Sequence, residues 1–161
     1  MTSFQGTIEQ LSPRDAAARC EPILRSIPEW FGIEESTRGY LEATARLPTW
    51  VARMEGRDAG FVTIERHFTE AADIHCIAVH RDFHGRGIGS ALVAHAQTWL
   101  AGQGVKFLQV KTMGPSKPNR EYALTLRFYL RAGFTPLEEL HGLWPGFPCL
   151  ILIKSLEPVR A

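Results

Sequence analysis

The spacing of hydrophobic positions changes along the chain, and each change marks a new element. Phe4 to Gln10 alternates loosely between apolar and polar residues, the period of a strand. Ser12-Pro13 then supplies an N-cap and a first-turn proline for a helix running toward Ser26, with Pro22 inside it as the cause of a kink or a later start. Ile27-Pro28-Glu29-Trp30-Phe31-Gly32 is irregular and carries two large aromatics. Ser36 is placed to cap a second helix, with Tyr40, Leu41, Thr44 and Leu47 at helical spacing, which stops before Pro48.

Strand texture begins at Thr49. Thr49 to Glu55 and Ala59 to His67 flank Gly56-Arg57-Asp58, a hairpin signal, and Asp73 to Val79 follows a short turn near Thr69-Glu70. Arg81 to Arg86 is a polar turn. Ile88, Leu92, Val93, Ala96, Trp99 and Leu100 form a helical stripe that Gly102 and Gly104 end. Val105 to Val110 is a strand, Gly114-Pro115-Ser116-Lys117-Pro118 a loop, and Asn119 or Arg120 to Arg131 a helix closed by Ala132-Gly133. Phe134 to Leu140 and Cys149 to Leu156 are the last strands, separated by an aromatic loop containing Trp144 and Phe147. The order β-α-α-β-β-β-α-β-α-β-β predicts an α/β (α+β) fold, a mixed and mostly antiparallel sheet of about seven strands with helices on both faces.

Composition narrows the function classes. A length of 161 residues fits one domain spanning 1–161. With 45% hydrophobic and 22% charged residues the chain is an ordinary globular sequence, which excludes disorder and coiled coil. Eighteen Lys and Arg against seventeen Asp and Glu give a formal charge of +1, which argues against a nucleic-acid partner held by bulk charge. Cys20, Cys76 and Cys149 lie far apart with no CxxC spacing, the usage of a reducing compartment without a zinc or other metal site. The start lacks a basic segment followed by an apolar one, and no stretch approaches the length of a membrane span. The expectation is a cytoplasmic protein with no membrane partner.

Candidate chemistry concentrates at His84-Gly85-Arg86-Gly87-Ile88-Gly89-Ser90, where a strand runs into a glycine-rich turn and the turn into a helix. Glycines there let backbone approach a ligand, and the free N–H groups of the helix start favour an anion, so the pattern reads as a phosphate cradle. A dinucleotide fingerprint fails, because Ser90 stands where its third glycine belongs and Gln109, Val110 and Lys111 stand where an acidic residue is wanted. A P-loop fails because Gly89 is followed by Ser90-Ala91.

The run His84 to Val93, preceded by Ile77-Ala78-Val79, resembles the acetyl-CoA motif of the GCN5-related N-acetyltransferases (GNAT). Phe128-Tyr129-Leu130-Arg131-Ala132-Gly133-Phe134 resembles that family's second motif. The resemblance covers roughly Thr49 to Leu156, and it implies direct transfer of an acetyl group from acetyl-CoA to a primary amine. It implies pyrophosphate held by backbone N–H groups of Gly85, Gly87, Gly89 and Ser90, with Ile88 in the same turn and a charge contact from Arg86. It further implies that the backbone of Cys76 to Val79 pairs with the pantetheine arm, that an N–H of Ile77 or Ala78 binds the thioester oxygen, and that Tyr129 is the general acid. His84 stands where the family usually has Gln or Arg, and Tyr122 where it often has an Asn touching the cofactor.

The base and the acceptor pocket are less specified. Asp73 lies where some members carry a Glu; its plainer role is a solvated acid at the strand start, paired with Arg66. His75 shares a strand face with Asp73 and suits neutral pH, and His67 faces Asp73 if the turn between them holds an odd number of residues. Glu29, Trp30, Phe31 and the Trp144 loop can line an acceptor cleft, with Glu29 or Glu34 holding a cation; the same aromatics can equally roof the core. Lys111 is placed to meet an acidic acceptor group or only solvent. Cys76 reads as small core filling. The acceptor is a small-molecule or peptide amine, a homodimer is open, and the alternative function is an acyl-CoA-binding sensor or regulatory module with little turnover.

Overall fold

The computed structural model describes residues 3–157. Its elements are β1 (Thr7–Gln10), α1 (Ala16–Arg25), α2 (Glu34–Ala43), β2 (Thr49–Met54), β3 (Arg57–Phe68), β4 (Ala71–Val79), a short 3-10 turn (Arg81–Phe83), α3 (Ile88–Ala101), β5 (Phe107–Met113), α4 (Arg120–Arg131), β6 (Thr135–Trp144) and β7 (Phe147–Ser155). The strands form one seven-stranded sheet in the order β1-β2-β3-β4-β5-β7-β6. The pairing of β4 with β5 is parallel, whereas β1 with β2, β2 with β3, β5 with β7 and β6 with β7 are antiparallel. The element order and the mixed sheet are those the sequence pattern predicts. Two compact units can be distinguished within the described residues, 3–65 with 75–99 and 66–74 with 100–157.

In the first unit, β2 and β3 are joined by Glu55-Gly56, both at positive φ (54° and 74°). That is the two-residue hairpin turn whose twist matches the strands, so the turn ends before Arg57 and Asp58, which already belong to β3. Val51 and Phe61 are cross-strand partners and bury one face against Cys20, Ile23 and Leu24 of α1 and Leu41 of α2. Trp50 points the other way, onto His95 and Trp99 of α3 at 5.7 and 4.6 Å between rings. The helices thus cover opposite faces of these strands. Arg19 of α1 forks onto Asp58 (2.9 and 2.7 Å) and reaches Glu9 of β1 (2.8 Å), tying helix to sheet.

Two helix starts differ from expectation. Ser12 does not cap α1: its hydroxyl donates to Asp15 Oδ2 (2.8 Å) and its carbonyl accepts from the N–H groups of Asp15 and Ala16, so a separate turn precedes the helix at Ala16. Helix α1 then runs through Pro22, which leaves the Ala18 carbonyl without its intrahelical donor. Helix α2 begins at Glu34, ahead of Ser36, with Glu34 and Glu35 at the positive end of the helix dipole in place of a side-chain cap.

In the second unit, β5 pairs with β7 from Phe107↔Ser155 to Met113↔Cys149, and β6 with β7 from Thr135↔Ile153 to Trp144↔Phe147. Trp144 and Phe147 are therefore not in a loop: they are paired across the Pro145-Gly146 turn, with Gly146 at φ 76°. Asn119 caps α4, its side-chain oxygen accepting the Tyr122 N–H at 3.1 Å.

Candidate functional site

The glycine turn is shaped by its backbone. Gly85 and Gly87 sit at φ 75° and 77°, conformations that L side chains disfavour, and nothing lies within 4 Å of where a Cβ on Gly85 would stand. The Gly87 carbonyl accepts the Ala91 N–H (3.1 Å), so the helical ladder of α3 begins there. The N–H groups of Ile88, Gly89 and Ser90 accordingly have no carbonyl to reach within the helix. Gly60 sets the height of this turn: a Cβ there would meet Ile88 Cγ2 at 2.9 Å and the Ala78 carbonyl at 3.0 Å. Only a residue without a side chain lets the first turn of α3 settle onto β3, a role that an interior strand glycine signals in sequence.

The side chains around the turn are committed elsewhere. Arg86 pairs with Glu55 at 2.5 Å and lies over the Phe83 ring, so its charge is balanced within the protein. The His84 ring donates to the Val79 carbonyl (2.8 Å) and meets Trp30 edge-on at 6.0 Å. That hydrogen bond occupies an acceptor on the stretch expected to pair with a pantetheine arm. Within β4, Cys76 and Ala78 pack into the α1 and α2 core while the neighbouring His75 meets Tyr40 of α2 at 5.6 Å. Strict alternation would put residues 75 and 76 on opposite faces, so the pleat is interrupted between them, as at a β-bulge. His75 also stands 3.4 Å from Glu65. Burial pushes the Cys76 thiol well above its ordinary pKa and that of Cys20 up to about 12, so neither is a ready nucleophile.

The segment 26–31 is held to the start of the glycine turn. Glu29 pairs with Arg81 through both oxygens (2.5 and 2.6 Å), which, after its own backbone N–H, keeps its carboxyl below the usual range. Glu34 is taken by Arg25, so neither acid is free to hold an added cation. Trp30 and Phe31 are half-buried against the core around α1 and α2, with Phe31 edge-on to Tyr40 at 5.7 Å. They roof the core and expose their remaining edges.

In the second unit Asp73 is 5% exposed, a buried acid with three donors on one oxygen. Lys111 Nζ lies at 2.6 Å, Gln109 Nε2 at 3.2 Å and His67 Nε2 at 3.4 Å. The partner is Lys111 and not Arg66, which bonds Gln103 and the Phe68 and Thr69 carbonyls instead. The parallel register Asp73↔Gln109 brings these residues together, and nothing in the local sequence announces it. His67 reaches Asp73 although only Thr69 and Glu70 separate β3 from β4.

Tyr129 is buried between Phe128 and Phe134, ring centroids 5.2 and 5.6 Å away. Its place follows from how α4 ends. Gly133 takes φ 90°, its N–H bonds the Leu130 carbonyl, and the Phe134 N–H bonds the Tyr129 carbonyl (3.0 Å). This is a Schellman cap with its accompanying apolar contact, so the Tyr-x-x-x-Gly-Phe spacing is required by the cap itself. A groove of about 400 Å³ runs along Met113, Lys117, Asn119 and Tyr122. Among the described residues no group of three His, Cys, Asp or Glu could hold a metal ion.

A strand, a glycine turn and a helix start whose first N–H groups have no carbonyl within the helix, set in a mixed seven-stranded sheet, form a backbone site suited to an anion. The family model of the acetyltransferase (GNAT) domain matches residues 45–136, and the chain belongs to that family. An uncharacterized N-acetyltransferase of Methanocaldococcus jannaschii is 30% identical over 99 residues, 58% of this chain and 41% of that protein, so the match spans under half of the relative's length. A GNAT-family structure from Desulfovibrio desulfuricans superposes with a TM-score of 0.83 at 21% identity, covering 95% of this chain and 100% of that one. A Salmonella typhimurium structure, solved with its cofactor acetyl-CoA, gives 0.67 at 19% identity over 98% and 97% of the two chains.

Proposed function

We propose that residues 1–161 act as one N-acetyltransferase domain that moves the acetyl group of acetyl-CoA directly to a primary amine of a small molecule or of a peptide or protein. The observation that carries this reading is the glycine turn: two left-handed glycines and a helix start offering three N–H groups suit a pyrophosphate that backbone alone can hold. Acetyl-CoA is the co-substrate of this family, and the Salmonella structure with its cofactor supports the same assignment here.

Each residue then has a task. Gly85, Gly87, Ile88, Gly89 and Ser90 anchor the diphosphate. An N–H near the interrupted pleat of β4, at Ile77 or Ala78, polarises the thioester carbonyl, since a bulge leaves a residue outside the strand ladder. The amine nitrogen bonds to the carbonyl carbon, the C–S bond breaks, and the thiolate takes a proton from the Tyr129 phenol, which regains it from water. The amine gives its proton to water or to His75; Asp73, already receiving Lys111, Gln109 and His67, acts by holding those groups in place. Trp30 and Phe31 border the acceptor. The balanced charge and the absence, among the described residues, of any helix long and apolar enough to cross a membrane are compatible with work in the cytoplasm.

The engagement of Asp73 favours one second reading, an acyl-CoA-binding regulatory module with little turnover. Thiol release from acetyl-CoA across a panel of small and peptidyl amines separates the two. Turnover with at least one amine, falling about 100-fold in Tyr129→Phe with acetyl-CoA affinity nearly unchanged, is the enzyme's signature. Binding without release across the panel would establish the regulatory module instead.

A further inference from the structure

His75 is the first residue of β4 beyond its ladder with β5, which ends at Ile74↔Val110. Its side chain turns to α2, where the Tyr40 ring meets it at 5.6 Å, and Phe31 meets Tyr40 in turn at 5.7 Å. From the adjacent strand β3, Glu65 Oε2 comes within 3.4 Å of His75 Nδ1. The two side chains are 29% and 38% exposed, so the contact is shielded from water on most sides while the imidazole keeps an open edge. Among the described residues Glu65 makes no other ion pair. The nearest acid on β4, Asp73, is taken by Lys111, Gln109 and His67. Glu65 from β3 and the Tyr40 phenol from α2 are therefore the titratable groups that face the His75 ring.

We infer that Glu65 is a positioning residue for His75, and that the pair makes His75 Nε2 the base that takes the amine proton during acetyl transfer. The inference rests on the proposed acetyltransferase reading and chooses between the two proton acceptors, water and His75, that it leaves open. A neutral imidazole carries its proton on one nitrogen only, and the group beside each nitrogen decides which. A carboxylate at Nδ1 holds the proton there and leaves the lone pair on Nε2, while the edge-on Tyr40 ring restricts rotation of the imidazole. When the neutral amine bonds to the thioester carbon its nitrogen becomes cationic. Nε2 takes that proton, the C–S electron pair leaves with sulfur, and sulfur receives the Tyr129 proton. The imidazolium so formed is stabilised by Glu65 and returns its proton to water.

Two-bond proton–nitrogen NMR of the imidazole rings in the full chain tests the role of Glu65 without any turnover. At about pH 8, where an imidazole is neutral, His75 is expected as the Nδ1–H tautomer in the wild type and mainly as the Nε2–H tautomer in Glu65→Met. Kinetics with an amine that is turned over test the base. Glu65→Met should lower kcat/KM about tenfold and move the acid limb of its pH profile down by about one pH unit. His75→Gln should lower kcat about 100-fold and remove the limb near neutral pH, with acetyl-CoA affinity nearly unchanged in both variants. A tautomer that Glu65→Met does not change, or a uniform loss at every pH, would overturn the positioning role. A limb that survives in His75→Gln would overturn the base. No turnover of any amine by the wild type would overturn the acetyltransferase reading and the base with it, leaving only the hold of Glu65 on the tautomer.

Discussion

The glycine turn and the Asp73 cluster build polar sites by opposite means. At Gly85 to Ser90 the donors are backbone N–H groups, Arg86 beside them is paired with Glu55, and the N–H groups of residues 88–90 have no carbonyl to reach within α3. At Asp73 the donors are side chains of Lys111, Gln109 and His67, and all three converge on one buried oxygen. The first arrangement is fit to receive something from outside, and the second is already satisfied from within. Polarity alone does not mark a binding site; unspent hydrogen-bonding capacity does.

The contrast is broken or sharpened most strongly at Lys111. Lys111→Met leaves the Asp73 carboxylate buried with only Gln109 and His67 beside it. Because Lys111 itself is partly exposed, the cost lies between that of a broken buried pair and that of a surface pair, about 2 kcal/mol. Urea unfolding should show this loss, and adding Asp73→Leu should recover most of it, while acetyl-CoA affinity stays close to that of the wild type. Full stability in Lys111→Met would show that the cluster is not satisfied from within.

A smaller effect is expected at the other forked acid. Arg19 holds the Asp58 carboxyl below its usual range. A lowered folded-state pKa contributes stability above the unfolded value, near 4, and that contribution is lost as pH falls through the folded value. The Tm difference between wild type and Arg19→Met should therefore be constant from about pH 7 to 5 and shrink below about pH 4. A difference that grows on acidification would contradict the assignment of Asp58 as the partner.

Legibility in the sequence follows the same division. The glycine turn could be read because φ near +75° at Gly85 and Gly87 leaves a mark in residue type, as does the cap that places Gly133 and Phe134 after Tyr129. Hairpin pairing moved only slightly, from Gly56-Arg57-Asp58 to Glu55-Gly56. The Lys111 to Asp73 pair and the Glu29 to Arg81 pair could not be read, since each depends on register or on a loop crossing to a residue far off in sequence. Trp144 was misplaced for a related reason: Pro145-Gly146 closes a hairpin tightly, and aromatic residues on both sides look like loop when they are cross-strand partners. Ser36 lost its capping role because Glu34 and Glu35 already serve the dipole of α2.

The most direct test of the central claim, that backbone at one helix start holds acetyl-CoA, is titration calorimetry of acetyl-CoA into the wild type and Gly87→Val, with circular dichroism to confirm that both are folded. A β-branched residue at φ 77° either strains the turn or moves it, so affinity should fall about tenfold or more. Equal affinity in the two folded proteins would contradict the cradle.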